Sequence, residues 1–144
     1  MALTHDRANP YINPSAFPGE SYLVAEDGES FAGGLVALNA SGYLTKAIAS
    51  NTSAWRLRGT AHRRWTNEDG DDGAFAERVD RPEIVQGLQN LASDPITQAD
   101  IGLECFVEDD ETVRKTNATN MRMSAGIAYR LNTDGTVDIK LPQP

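Results

Sequence analysis

Two stretches near the end of the chain decide the fold: Leu103-Glu-Cys-Phe-Val-Glu-Asp-Asp-Glu-Thr-Val-Arg-Lys-Thr116 and Ala125-Gly-Ile-Ala-Tyr-Arg-Leu-Asn-Thr-Asp-Gly-Thr-Val-Asp-Ile-Lys-Leu141. In the first, Leu103, Cys105 and Val107 alternate with Glu104 and Glu108, Phe106 being out of step, before Glu108-Asp-Asp-Glu111 turns into Thr112-Val-Arg. In the second, Ala125, Ile127, Tyr129 and Leu131 alternate with small or charged residues, Asn132-Thr-Asp-Gly135 supplies a turn, and Val137, Ile139 and Leu141 alternate with Asp138 and Lys140. Successive side chains of a strand point to opposite faces, so this pattern predicts two half-buried antiparallel hairpins.

Working backwards, the same punctuation recurs. Ser21-Tyr-Leu-Val-Ala, Leu35-Val-Ala-Leu and Tyr43-Leu-Thr-Lys-Ala read as short strands, separated by Asp27-Gly28, Gly33-Gly34 and Asn39-Ala-Ser-Gly42. Between Trp55 and Trp65 one parity holds Trp55, Leu57, Ala61 and Trp65, and the other holds Arg56, Arg58, His62 and Arg64. A strand or strand pair here has an apolar face and a basic row. The row reads as a solvated face that blunts a sheet edge, or as a strip docking on an acidic protein surface; docking on phosphates is disfavoured by the net charge. Pro82-Glu-Ile-Val-Gln-Gly-Leu-Gln-Asn-Leu91 fits neither a clean helix nor a clean strand: Ile84, Leu88 and Leu91 have helical spacing, but Gly87 weakens it.

These readings predict one mostly β, antiparallel domain over residues 21–144 with at most one short helix. Residues 1–20 hold Pro10, Pro14 and Pro18, and proline fixes φ and removes a donor, so this stretch reads either as an extended arm or as a disordered terminus. Tyr11, Phe17 and Tyr22 give that arm apolar surface to bury against a partner.

Composition limits what the domain can do. A chain of 144 residues buries roughly 70% of its unfolded surface, enough for a core without staples. Its net charge of −8 disfavours a nucleic-acid partner. Cys105 is the single cysteine, so neither an intrachain disulfide nor a structural zinc site is expected; its place on an apolar parity makes it a core residue. The start lacks an apolar leader and no run reaches the ~18 apolar residues of a membrane span, so neither secretion nor membrane insertion is expected. Asn67-Glu-Asp-Gly-Asp-Asp-Gly73 is rich in carboxylates but fails calcium-loop spacing, with Asp72 where Gly is needed and Arg78 where the bidentate Glu belongs.

Catalytic chemistry leaves no signature. His5 and His62 lie in the arm and in the basic row, no serine sits in an elbow, and there is no phosphate loop. We therefore expect no catalytic residue, metal or cofactor.

Two blocks of the sequence resemble a known family. Ala25-Glu-Asp-Gly-Glu-Ser-Phe-Ala-Gly-Gly-Leu-Val-Ala-Leu-Asn-Ala-Ser-Gly-Tyr-Leu-Thr-Lys-Ala47 is similar to the opening hairpin of small tailed-bacteriophage capsid decoration (head cement) proteins, and Asp94–Thr116 with Met123–Leu141 resembles their C-terminal block. The resemblance implies a β-sandwich or β-tulip fold, a place on the virion exterior, a homo-oligomer that is commonly a trimer, and binding to the outside of the major capsid protein shell. The arm aromatics Tyr11, Phe17 and Tyr22, and Arg56, Arg58 and Arg64 of the basic row, are the candidate contact residues. Two other functions stand beside this one. A carbohydrate- or ligand-binding module would use Trp55 and Trp65 as exposed stacking platforms, and a small hydrolase would need two loop carboxylates converging in a cleft.

Overall fold

A computed structural model describes residues 2–4, 6, 20–49 and 54–142 of the chain. Twelve strands follow in order: β1 Glu20–Leu23, β2 Glu29–Ser30, β3 Leu35–Leu38, β4 Leu44–Lys46, β5 Arg56–Ala61, β6 Trp65–Thr66, β7 Ala76–Asp80, β8 Ile84–Asn90, β9 Glu104–Val107, β10 Thr112–Arg114, β11 Ser124–Leu131 and β12 Val137–Lys140. Among the described residues the helical content is a single 3₁₀ turn, Gln98–Asp100, whose Asp100 accepts from the Thr97 N–H at 2.8 Å and from the Thr97 hydroxyl at 2.9 Å. The mostly β, antiparallel class read from the alternation is observed.

The strands form three units. β1, β7, β5, β3 and β4 make a five-stranded antiparallel sheet in that order, and β2 pairs with β6 as a short ribbon. β8 to β12 close into a barrel ordered β10-β8-β12-β11-β9, antiparallel except where β10 runs parallel to β8. Sheet and barrel wall face each other across one core. Leu35, Ala37 and Leu57 of the sheet pack with Val85, Leu88, Val107, Val113, Val137 and Ile139 of the barrel. On the other face of the sheet, Val36, Leu38, Leu44, Ala61, Val79 and Trp65 form a second cluster. The four apolar residues of β3 are thus all buried, alternately in one core and the other.

Glycine-centred bulges explain where the sequence pattern and the structure part. A bulge adds one residue to a strand, and a slip of one residue turns every later side chain to the other face. In β11 the register shifts between Ser124 and Gly126, and Gly126 sits at φ +92°. Ala125 and Ala128 consequently point inward, while Ile127 and Tyr129, expected inside, are 40% and 45% exposed. A second shift between Ala128 and Arg130 returns Leu131 to the core.

In β8, Gly87 lies at φ +75° beside the register shift against β12, so the inward Val85 and Leu88 stand three residues apart. That spacing imitates a helix; the segment left open between helix and strand is a bulged strand. The Gly87 N–H donates to Asp138 Oδ1 at 2.9 Å, and Asn132 Nδ2 donates to the same oxygen at 2.9 Å. Asp138, read as a solvent-side residue, is therefore fully buried. Leu103 departs in the other direction: it precedes β9 and is 58% exposed, whereas Cys105 and Val107 behave as expected.

A side chain at Gly126 is blocked twice. A Cβ there would fall well inside van der Waals contact of the Lys140 carbonyl oxygen, and φ +92° is strained for any L side chain. Gly126→Ala is expected to lower unfolding free energy by about 2–4 kcal/mol, read as the shift of the urea midpoint at constant slope. A midpoint within error of the parent would contradict the role given to this bulge.

Candidate functional site

The first described residues are docked on the body. Leu3 is buried, and its backbone N–H donates to Asp110 Oδ1 at 2.8 Å. Its Cδ1 lies 2.6 Å from where a Cβ on Gly34 would sit, so the glycine makes room for it. Asp6 Oδ1 accepts from the Ala32 N–H at 2.8 Å. The start of the predicted arm is thus packed against the β2–β3 turn and the β9–β10 turn, a correction to reading all of residues 1–20 as an unpacked extension. Tyr11 and Phe17 lie outside the described residues. Asp6 before them and Glu20 after them are both hydrogen-bonded to the body.

Tyr22 and Arg58 form a small cluster with Glu20. The Tyr22 hydroxyl donates to Glu20 Oε2. It accepts from Arg58 Nε at 3.0 Å and Nη2 at 2.7 Å, and Arg58 Nη2 also reaches Glu20 Oε2 at 3.3 Å. Burial, then the Glu20 carboxylate, raises the phenol above its ordinary value, and the Tyr22 hydroxyl holds Glu20 below the usual carboxylate range. These two candidate contact residues are therefore satisfied within the chain.

No single strand carries the predicted basic row, although its parity holds: Trp55, Leu57, Ala61 and Trp65 are buried or half-buried, and Arg56, Arg58, His62 and Arg64 are exposed or half-buried. β5 ends at Ala61, residues 62–64 leave the sheet, and Trp65 belongs to the separate ribbon. Of the row, Arg58 turns to Glu20 and His62 to a carboxylate of β7, where the neighbouring Arg63 and Arg78 also find theirs. Arg63 pairs bidentately with buried Glu77, while His62 Nδ1 and Arg78 Nε lie 3.0 and 3.2 Å from buried Asp80. Arg64 is exposed, with its guanidinium 4.9 Å from the centroid of the Phe31 ring. Arg56 is exposed on β5.

Neither tryptophan is among the exposed residues. Trp65 is buried and meets Phe75 edge to face at 5.9 Å, and half-buried Trp55 packs against the main core. The acidic loop is organised by its own groups. Buried Asn67 donates to the Ala25 and Asp71 carbonyls at 2.8 and 3.0 Å, Asp72 Oδ1 accepts from the Glu26 N–H at 2.7 Å, and Asp27 Oδ1 accepts from the Asp69 N–H at 2.9 Å. Among the described residues no three His, Cys, Asp or Glu side chains are placed to hold one metal ion.

Two features escaped the sequence reading. At one end of the barrel Asp94, Arg114, Glu108 and Arg122 form a half-buried charged chain. Arg114 bridges Asp94 at 3.1 Å and Glu108 at 2.8 Å, and Arg122 meets Glu108 at 3.0 Å. On the barrel flank, Leu103, Ile127 and Tyr129 are exposed. The glycine inside an otherwise regular strand, Ser124-Ala-Gly126-Ile, was the available signal for the parity change that exposes the last two.

Comparison with protein families, with curated proteins and with solved structures found no match to this chain.

Asp110 gives the clearest pH dependence. Burial pushes its carboxyl up to about 6, partly opposed by the Leu3 N–H, with Asp109 and Glu111 adding to the rise and Lys46 opposing it. An unfolded Asp titrates near 3.9, so between about pH 4 and 6 the native state binds the extra proton. This group's contribution to stability therefore falls as pH rises through that window. Other carboxylates act oppositely: Asp100 and Asp134 are held low by hydrogen bonds from Thr97 and Thr136. Comparison with Asp110→Asn isolates the effect. Relative to the parent, the variant should gain on the order of 2 kcal/mol from pH 4.5 to pH 7 in urea unfolding. Parallel profiles would show that Asp110 does not carry it.

Proposed function

We propose that this chain is a non-enzymatic structural protein of a phage virion that binds the outer surface of the assembled major capsid protein shell and stabilises or decorates it. The observation that carries the reading is the resemblance of Ala25–Ala47 and Asp94–Leu141 to capsid decoration proteins. The fold suits the role. The C-terminal block supplies the 3₁₀ turn and four of the five barrel strands, and a closed barrel has no free edge to recruit unwanted strands. A ligand that binds only the assembled shell stabilises that shell by mass action and needs no catalytic group. In this reading the partners are the major capsid protein and other copies of this chain, with a homotrimer as the expected arrangement. Tyr11, Phe17, Arg56 and Arg64 remain candidate shell contacts, whereas Tyr22 and Arg58 serve to fix β1 to the sheet.

Purified protein mixed with undecorated capsids of its own virus should co-sediment to saturation, and should not bind the unassembled capsid protein comparably. Removing residues 2–19 should leave the domain folded, somewhat destabilised by the loss of Leu3, and at least tenfold weaker in attachment. Absence of co-sedimentation by the intact chain would defeat the proposal. Full attachment by the truncated chain would confine the binding surface to the β body.

A further inference from the structure

The bulge at Gly126 creates a surface that none of the readings above uses. On the barrel exterior Ile127 of β11 pairs directly with Glu104 of β9 on one side and with Lys140 of β12 on the other. Directly paired residues of an antiparallel ladder project from the same face. A carboxylate, an isoleucine and an ammonium therefore stand in one row across three strands, all exposed. The backbones that carry the two charges lie two strand spacings apart, roughly 9–10 Å, and the two side chains are not paired with each other. Glu104 accepts from the Ser124 hydroxyl at 2.9 Å, and neither Glu104 nor Lys140 has an ion-pair partner among the described residues. Along β11 the apolar stripe continues to Tyr129, whose ring lies 5.6 Å from the Arg130 guanidinium carbon.

The geometry points to a second copy of this chain as the occupant of this face, related by a two-fold axis parallel to β11. Such an axis reverses the row and preserves the direction along the strand. It sets Glu104 against the mate's Lys140, Lys140 against the mate's Glu104, and lays Ile127 and Tyr129 on their own equivalents. The other in-plane two-fold, along the row, places Glu104 on Glu104 and Lys140 on Lys140 and is disfavoured. The row is thus self-complementary in one orientation only, as an isologous contact requires. This two-fold contact is separate from the threefold arrangement implied by the resemblance and does not rest on the capsid reading.

Two convex barrel flanks bury less than a standard interface, so the expected dissociation constant lies at about 10 µM to 1 mM. Sedimentation equilibrium at about 0.15 M salt, over about 10 µM to 2 mM protein, reads it. Glu104→Lys and Lys140→Glu each place like charges at both symmetric contacts and should weaken self-association at least tenfold. An equimolar mixture of the two variants restores both opposite-charge contacts and should associate at least tenfold more tightly than either alone. Thermal unfolding confirms that the variants fold. A parent that stays monomeric to 2 mM, variants that associate like the parent, or a mixture no tighter than its components would each overturn the proposal. Only a homotypic contact pairing position 104 with position 140 predicts rescue by mixing.

Discussion

Everything in this fold hangs on β3. Its four residues are buried on both faces, Leu35 and Ala37 against the barrel, Val36 and Leu38 against the cluster around Trp65. Burying a Leu or Val side chain is worth about 1.5–3 kcal/mol, and here such burial couples two cores that share no other strand so completely. The backbone of the same strand is equally committed: it pairs with β4 and β5, and the Leu35 N–H donates to the Asp110 carbonyl at 2.8 Å. That last bond ties the sheet to the β9–β10 turn of the barrel, on the very residue whose side chain holds Leu3. The docked N-terminal residues, the sheet and the barrel therefore meet at one place.

Much of this was legible because short-range chemistry dictates it. Val137, Ile139 and Leu141 face inward as their alternation requires, and the Asn39–Gly42 and Asn132–Gly135 turns fall where their residues demand. The continuous run Leu35-Val-Ala-Leu carried a further message, since a strand with no polar alternation has no solvent face. What alternation cannot report is a change of parity within a strand. Gly126 and Gly87 each accompany a register shift, and each shift defeated a local reading: outward Ile127 and Tyr129, and the helix-like spacing of Val85 and Leu88. The sites of charge pairing were hidden for a different reason. Glu77 lies 14 residues from Arg63 and Asp80 lies 18 from His62, and only the β5–β7 pairing brings them together.

Charge in this protein is distributed unevenly between inside and outside. With 13 basic and 21 acidic residues, cations are scarce, and several are claimed within the chain. Arg58, Arg63, Arg114 and Arg122 are each paired with a carboxylate, and Arg81 donates to the Arg58 and Pro142 carbonyls, joining the end of the chain to β5. The excess acidic groups sit largely at turns, where Asp27, Asp72, Asp109 and Asp134 accept backbone N–H groups. Such carboxylates fix loop shape while keeping copies soluble, so the surplus negative charge is structural as much as repulsive.

Where a neighbour can attach follows from how the edges are closed. The barrel has none. β4 is three residues long, its Lys46 is paired with Glu29, and the chain at Val24 and Ala25 lies beside it through a bridge and a hydrogen bond to Leu44. β1, at the opposite edge, is four residues long and carries Glu20 and half-exposed Leu23. Short, charged or covered edges resist strand addition. Contacts with a neighbour must then be made by side chains projecting from sheet faces, and among the described residues the row Glu104–Ile127–Lys140 is such a face with its charges still unpaired. The bulge that turns Ile127 outward therefore sacrifices an inward apolar side chain that regular pairing would have retained. A feature that costs core burial and exposes an isoleucine between opposite charges is better accounted for by contact with another molecule than by the stability of a single chain.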